Sequence, residues 1–322
     1  MITPTTFPAF RALSARLGQD RLRVQGPGGN TSLKEGDVMW VKASGTELAD
    51  AQTADIFVAV DRAAALAEAR EQAGDGSCRA TILDPTLSLR PSIETTFHAA
   101  LDWPVVVHTH SIATLTHAIS TEGLRIAQEK LAGLPCAFVP YAKPGLPLTR
   151  NILRCIGRRT QVIVLANHGL VICGPNVAAT ADLMEEVETR LAMQPKDTEW
   201  PMHAHPPPDG FSWAQESWIA TDPVACARAT AGSYYPDHVV FLGPALPRAD
   251  HAGKPPAFVV EGRGIALRLN ATASQKAMLR CLSDVLSRLP IGWNAKAIGP
   301  DAEAELLNWD AEKYRQALAA RS

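Results

Sequence analysis

A chain of 322 residues, 46% hydrophobic and 20% charged, has a globular composition and can bury a sizeable core, which excludes the disordered and fibrous classes. Its net charge of -2 supplies no basic field, so nucleic acid and membrane surfaces are not expected partners, whereas a small anionic substrate needs only a local site. The six scattered cysteines, an N-terminus without a leader pattern and the absence of any apolar span of about 18 residues make a cytoplasmic protein the expectation.

Apolar residues at Phe10, Leu13 and Leu17 predict an amphipathic helix over 9–17, ended by a glycine-rich stretch. GPGGNTSLKEGDVMWVKA then reads as a loop, a strand, an Glu-Gly-Asp turn and a second strand. DIFVAVD is a third short strand, 62–72 an alanine-rich helix, and 74–89 is rich in turn formers. Behind Pro91, Ser92 is placed to cap a helix SIETTFHAAL, on which Glu94 and His98, four apart, share a face.

PVVVHTH reads as a buried strand leading into a helix at SIATLTHAIS; CAFVPYA and QVIVLANHGLVICG are further strands and 178–191 a helix. The proline-rich MQPKDTEWPMHAHPPPDG marks a boundary. A first domain over 1–195 and a second over 210–322 follow. The second carries DHVVFLG, a hairpin-like AFVVEGRGIALRL and helices over 273–289 and 302–320, the pattern of a small α/β domain.

Residues at i and i+2 of a strand project from one face, so His108 and His110 can converge on one ion. A third histidine, His168, ends another apolar stretch and is followed by Gly169. Three neutral imidazoles with one open position form the plan of a catalytic zinc site, and Glu94 could serve as fourth ligand or as base. Gly29, Asn30 and their neighbours in GPGGNTS, with Lys42, Ser44 and Gly45 in KASGT, offer donors suited to an oxyanion. Neither stretch is a Walker motif or a dinucleotide fingerprint, so a nucleotide is not expected.

GGNTS, KASGT, PSIETTFH, VVHTH and ANHGLVICG, in this order and spacing, resemble the class II aldolase/adducin family of L-fuculose-1-phosphate aldolase, over about Phe10 to Leu191. WVKASGT, RPSIET and the C-terminal extension look most like the aldolase half of bifunctional aldolase/short-chain dehydrogenase proteins, and no dehydrogenase half is expected within these 322 residues. The resemblance implies a three-layer α/β/α sandwich around a largely antiparallel sheet, commonly assembled as a homo-oligomer, with a tetramer favoured. It implies that His108, His110 and His168 hold a divalent metal, most simply zinc, with manganese, cobalt, nickel or iron as substitutes. It makes Glu94 the catalytic carboxylate and places Asn30, Ser44, Gly45 and Ser92 around a substrate phosphate.

The expected reaction is metal-dependent cleavage, or formation, of a carbon–carbon bond in a phosphorylated or anionic ketose, giving dihydroxyacetone phosphate and an aldehyde through a stabilised enediolate. The same residues serve sister reactions: 4-epimerisation or dehydration of a sugar phosphate, and decarboxylation of a 3-oxo acid. A non-catalytic, adducin-like scaffold is the rival from another class, and would be expected to lose ligands that are present here. One departure is Ile93, where the family usually has a second serine; Lys42 could compensate.

The family's catalytic tyrosine has no clear counterpart. Tyr141, Tyr234 and Tyr235 are candidates, each read more simply as packing. His203 and His205 read as a solvent loop, His98 as structural or as an orienter of Glu94, His117 as a helix residue, and Trp213, Trp218 and Trp309 as core.

Overall fold

The computed structural model describes residues 3–199, 205–250 and 254–320. Seven strands form one sheet: β1 (Asn30–Glu35), β2 (Val38–Lys42), β3 (Phe57–Asp61), β4 (Val105–Thr109), β5 (Cys136–Val139), β6 (Val162–Leu165) and β7 (Gly169–Gly174). Their order is β3-β2-β1-β4-β7-β6-β5. Neighbours run antiparallel except β5 and β6, which are parallel, so the sheet is largely antiparallel as the resemblance implied.

Strand alternation builds the layers. Val105 and Val107 of β4 enter a cluster with Phe10, Leu17, Met184 and Val187, contributed by the helices Phe7–Gln19 and Val177–Leu191. Val106 points the other way, to Phe97, Leu148 and Ile152 of the helices Thr95–Ala100 and Leu146–Cys155. The result is the three-layer α/β/α sandwich. His108 follows Val106 onto the second face and meets the Phe97 ring edge-on, 5.8 Å between centroids.

Several local readings change. The strand stops at Thr109, because Ser111 caps the helix Ile112–Ala118 by accepting a hydrogen bond from Thr114 N; His110 therefore lies in the link between strand and helix. QVIVLANHGLVICG is a hairpin of β6 and β7, with left-handed Asn167 (φ 54) and His168 in its turn. The helix SIETTFHAAL begins only at Thr95, since the Ser92 carbonyl accepts from Thr95 N and Oγ1; Ser92 is not its cap and Glu94 stands at its mouth.

The C-terminal part carries a three-stranded antiparallel sheet of β8 (Phe211–Trp213), β9 (Ala257–Val260) and β10 (Gly264–Arg268), ordered β8-β10-β9. DHVVFLG lies in a helix, Pro236–Leu242, and the helix Ala273–Arg288 opens with a capping box between Thr272 and Gln275. Ile112, Leu115 and Ile119 share one apolar cluster with Val240, Leu282 and Val285, so the two halves of the sequence bury surface against each other. The final helix expected over 302–320 is two, Pro300–Leu307 and Asp310–Ala319. Trp309 separates them in extended backbone (φ -81, ψ 124), its ring facing the Lys143 ammonium at 4.8 Å. Among the described residues no helix is long and apolar enough to cross a membrane.

Candidate metal centre

His108 at the end of β4, His110 in the following link and His168 in the β6–β7 turn each offer a ring nitrogen, and these three atoms lie within 4.8 Å of one another. Ring centroids are 5.0 Å apart for His108–His110 and His108–His168, and 5.4 Å for His110–His168. All three side chains are buried. Pairing of β1 with β4 sets Asn30 opposite His108, and pairing of β4 with β7 sets Val171 opposite it, so the sheet register brings the cluster together.

Glu94 faces this cluster from the mouth of the helix Thr95–Ala100, in the layer toward which His108 points. Its Oε2 is 3.5 Å from His108 Nε2 and its Oε1 3.5 Å from His168 Nε2. Asn30 holds it there, donating from Nδ2 to Glu94 Oε2 at 2.8 Å and to Ser92 Oγ at 3.1 Å. His98 acts on Glu94 through Asn30: its Nε2 bonds Asn30 Oδ1, and its Nδ1 lies 2.8 Å from Ser32 Oγ. This network assigns His98 the Nε2–H tautomer, with Ser32 donating.

Burial pushes the His168 imidazole down to about 3 and lowers that of His108, so both keep a lone pair at neutral pH. Burial alone would raise the Glu94 carboxyl, but the surrounding His108 and His168 rings and the Asn30 hydrogen bond outweigh it and bring it to about 2. At neutral pH Glu94 is therefore a carboxylate facing the neutral rings of His108 and His168. Glu94 Oε1 and His108 Nε2 are buried without a hydrogen-bond partner. Buried polar atoms rarely stay unpartnered, and a divalent cation among these donors would satisfy them. The residues present fit a metal.

The C-terminal part adds what the sequence did not reveal. Asp237, in the helix Pro236–Leu242, places Oδ2 3.2 Å from His110 Nδ1. Arg315, in the last helix, donates to Asp237 Oδ1 at 2.9 Å and to Glu312 Oε2 at 2.8 Å. Burial disfavours the Asp237 charge, but Arg315 and His110 outweigh it and hold the carboxyl far below its usual range. No local motif marks these residues; the only sequence signal is the Glu312–Arg315 spacing of three on one helix.

Gly29, Asn30, Lys42, Ser44, Gly45 and Ser92 line one pocket with Glu94, His110 and His168, and Asp237, Glu312 and Arg315 line it too. Gly45 adopts a left-handed φ of +79, and a Cβ there would stand 2.3 Å from Leu318 of the last helix. Lys42 is buried, its ammonium donates to the Pro27 carbonyl at 3.0 Å, and burial pushes it down to about 7. Asn30 spends its amide on Glu94 and Ser92 rather than on an open face. Ile93 sits at the rim.

None of the candidate tyrosines lines this pocket. Tyr234 Oη donates to the Arg228 carbonyl at 2.7 Å, Tyr235 is packed in the C-terminal cluster, and the buried Tyr141 hydroxyl has no hydrogen-bond partner. His117 is a helix residue whose Nδ1 bonds the Ala113 carbonyl. His203 lies outside the described residues, and the His205 carbonyl accepts from the Trp213 indole. Trp218 packs in the core as expected, whereas Trp309 does not: its ring walls a second cavity.

Residues 10–195 match the class II aldolase and adducin N-terminal domain. The chain belongs to this family. Among its relatives, an uncharacterized oxidoreductase of Bacillus subtilis is 32% identical over 49% of this chain and 25% of its own length. A 3-oxo-tetronate 4-phosphate decarboxylase of Pectobacterium atrosepticum is 33% identical over 31% of this chain and 51% of its own. This chain thus spans a quarter and about half of the lengths of these two. An L-fuculose phosphate aldolase of Methanococcus maripaludis is 25% identical over 53% of this chain and 88% of its own. The N-terminal class II aldolase domain of a conserved Thermoplasma acidophilum protein superposes with a TM-score of 0.51 at 26% identity, covering 59% of this chain and 94% of that one. The match therefore spans the seven-stranded sheet and the three histidines, while the residues beyond 195 lie outside it.

Proposed function

We propose that this chain is a metal-dependent lyase that cleaves, or forms, a carbon–carbon bond in a phosphorylated or otherwise anionic ketose, with dihydroxyacetone phosphate and an aldehyde as products. The observation that carries this reading is a carboxylate fixed at one oxygen and free at the other, facing three convergent imidazoles. His108, His110 and His168 would hold the divalent ion, with zinc the simplest occupant for three nitrogen donors. When bound, the ion supplies Lewis-acid stabilisation of the enediolate that bond cleavage leaves beside a carbonyl.

The chain's own groups handle the proton. Asn30 pins Glu94 Oε2, leaving Oε1, which accepts no hydrogen bond, as the atom that takes and returns the proton on the reacting carbon. His98 keeps Asn30 in that orientation. The Ser44 and Ser92 hydroxyls and Gly45 border the space a substrate's polar groups would enter. The burial of Glu94 and the histidines excludes bulk water, which strengthens every electrostatic contact there.

A second reading has one observation in its favour, the 33% identity to a 3-oxo-tetronate 4-phosphate decarboxylase. Loss of carbon dioxide from a 3-oxo acid leaves the same electron pair beside a carbonyl, and Glu94 would relay to it a proton taken from water. Elemental analysis of the purified protein followed by assay of dihydroxyacetone phosphate with an aldehyde panel tests the first reading. One divalent ion per chain and a condensation product support it. Carbon dioxide release from a phosphorylated 3-oxo acid without condensation moves the assignment to the second. Failure to take up any divalent ion would leave an adducin-like scaffold. Assembly into a homo-oligomer, favoured as a tetramer, belongs to the same proposal and is measured by sedimentation.

A further inference from the structure

Forming a bond between an enediolate and an aldehyde moves two protons. One leaves the carbon beside the carbonyl, and Glu94 Oε1 takes it. The other must reach the aldehyde oxygen, which becomes an alkoxide as the bond closes. None of the candidate tyrosines lines the pocket to give that proton, and Lys42, Ser44 and Gly45, which do line it, belong to the expected oxyanion site.

Glu312, in the helix Asp310–Ala319, lines the same pocket and is bonded as Glu94 is. Its side chain is buried, Arg315 donates to its Oε2 at 2.8 Å, and its Oε1 has no hydrogen-bond partner. Arg315 also donates to Asp237, so one guanidinium serves two buried carboxyls and can balance the charge of only one. Asp237 is the one held ionised. Burial, aided by the Asp237 and Glu94 charges, raises the Glu312 carboxyl against the pull of Arg315, whereas Glu94 is lowered. Two carboxyls in one pocket, shifted in opposite directions, are the pattern of an acid and a base. A second cavity of about 400 Å³ adjoins the pocket, Ser44, Ile93 and Pro144 lining both. The last helix borders the two: Ala311 and Tyr314 line the cavity, Glu312 and Arg315 the pocket.

We propose that Glu312 is a second catalytic residue, the acid that protonates the aldehyde oxygen. This rests on the lyase reading and deepens it. Glu94 takes the proton from carbon, the electron pair left there closes the bond to the carbonyl carbon, and the carbonyl π pair moves to oxygen. That oxygen takes its proton from Oε1 of Glu312. A proton passing from Glu94 to Glu312 through solvent resets the pair, and cleavage runs the same steps backwards. Glu312 lies outside the matched domain, so the C-terminal part contributes a reacting group.

Two measurements on the metal-loaded full chain separate the roles. Exchange of the carbon-bound hydrogen of dihydroxyacetone phosphate in deuterium oxide, without aldehyde, needs Glu94 only; condensation with an aldehyde needs both acids. Glu312→Gln is expected to lose condensation by about 100-fold more than it loses exchange, with metal content unchanged. Glu312→Asp keeps a proton to give but sets it back by one methylene. Its condensation should fall between those of Glu312→Gln and the parent, and by more than its exchange, which serves as the test should Glu312→Gln not fold. Equal losses of the two reactions, the result of a merely structural role, overturn the assignment, as does condensation at the parental rate in Glu312→Gln; the lyase reading survives either. A parent protein that neither exchanges nor condenses overturns the lyase reading and this assignment with it.

Discussion

Asp237 Oδ2 stands 3.2 Å from Nδ1 of His110, so a carboxylate from the C-terminal part faces the ring of a candidate metal ligand. An imidazole that ligates through one nitrogen is oriented by whatever its other nitrogen meets, and such partners are typically worth about 10–100-fold in metal affinity. Arg315 and Glu312 extend the contact, and all three C-terminal side chains are buried. The C-terminal part therefore lines the candidate centre rather than hanging beside it.

Asp237→Asn is expected to weaken metal binding by about 10–100-fold while leaving the fold intact, because the amide still fills the space but no longer holds the ring as a carboxylate does. Competition with a chromophoric chelator measures this. Arg315→Met is expected to behave differently: it leaves Asp237 and Glu312 buried without their counter-charge and costs about 3–5 kcal/mol of stability. Equal metal affinity in Asp237→Asn and the parent protein would sink the orienting role.

Gly28 offers a steric version of the same experiment. A Cβ at this position would lie 2.8 Å from His110 Nδ1 and 2.9 Å from Asp237 Oδ2, pushing the pair apart. Gly28→Ala removes no ligand, yet it is expected to lower metal affinity about as much as Asp237→Asn. Combining the two substitutions should add little, since both break one contact, and full additivity would argue against this account.

Glu94→Gln keeps the size of the side chain and can still meet Asn30, but it has no carboxylate to take a proton. Turnover is expected to fall by about 10²–10⁴-fold with the metal retained. Elemental analysis beside steady-state rates separates the two effects. Loss of the metal together with the rate would show that Glu94 is a ligand rather than a base.

Lys34 supplies a pH test outside the site. Its buried ammonium donates to the Leu101 and Trp103 carbonyls, and burial pushes it down to about 7 from 10.5. Below pH 7 it is charged in both folded and unfolded chains, and the burial penalty is fully present. Between pH 7 and 10.5 the folded chain binds fewer protons than the unfolded one, so stability from this group rises with pH. The Tm of the parent protein relative to Lys34→Met should climb by several degrees from pH 7 to 10, as followed by circular dichroism. A difference that stays flat over this range would refute the assignment.

The strands and most helices were legible because their periodicities are local: VVVHT alternates between two apolar layers, and 178–191 repeats at helical spacing. What failed were boundaries and breaks. The start of the helix after Ser92 depended on which backbone carbonyl Thr95 would find, and the break at Trp309 on a ring finding Lys143 far away in the chain. Glu94 was read as a helix residue sharing a face with His98; the two are instead coupled through Asn30 on β1.

The sequence by itself determined the family, the sandwich and three histidines with a carboxylate as candidates for one centre, since motif order and residue chemistry survive without coordinates. Only the tertiary structure decided that Asp237 and Arg315 reach the candidate centre and that Arg90 and Lys143 line the adjoining cavity. Such contacts follow from how two apolar halves bury against each other around Ile112 and Leu282, and no short stretch of sequence records that packing.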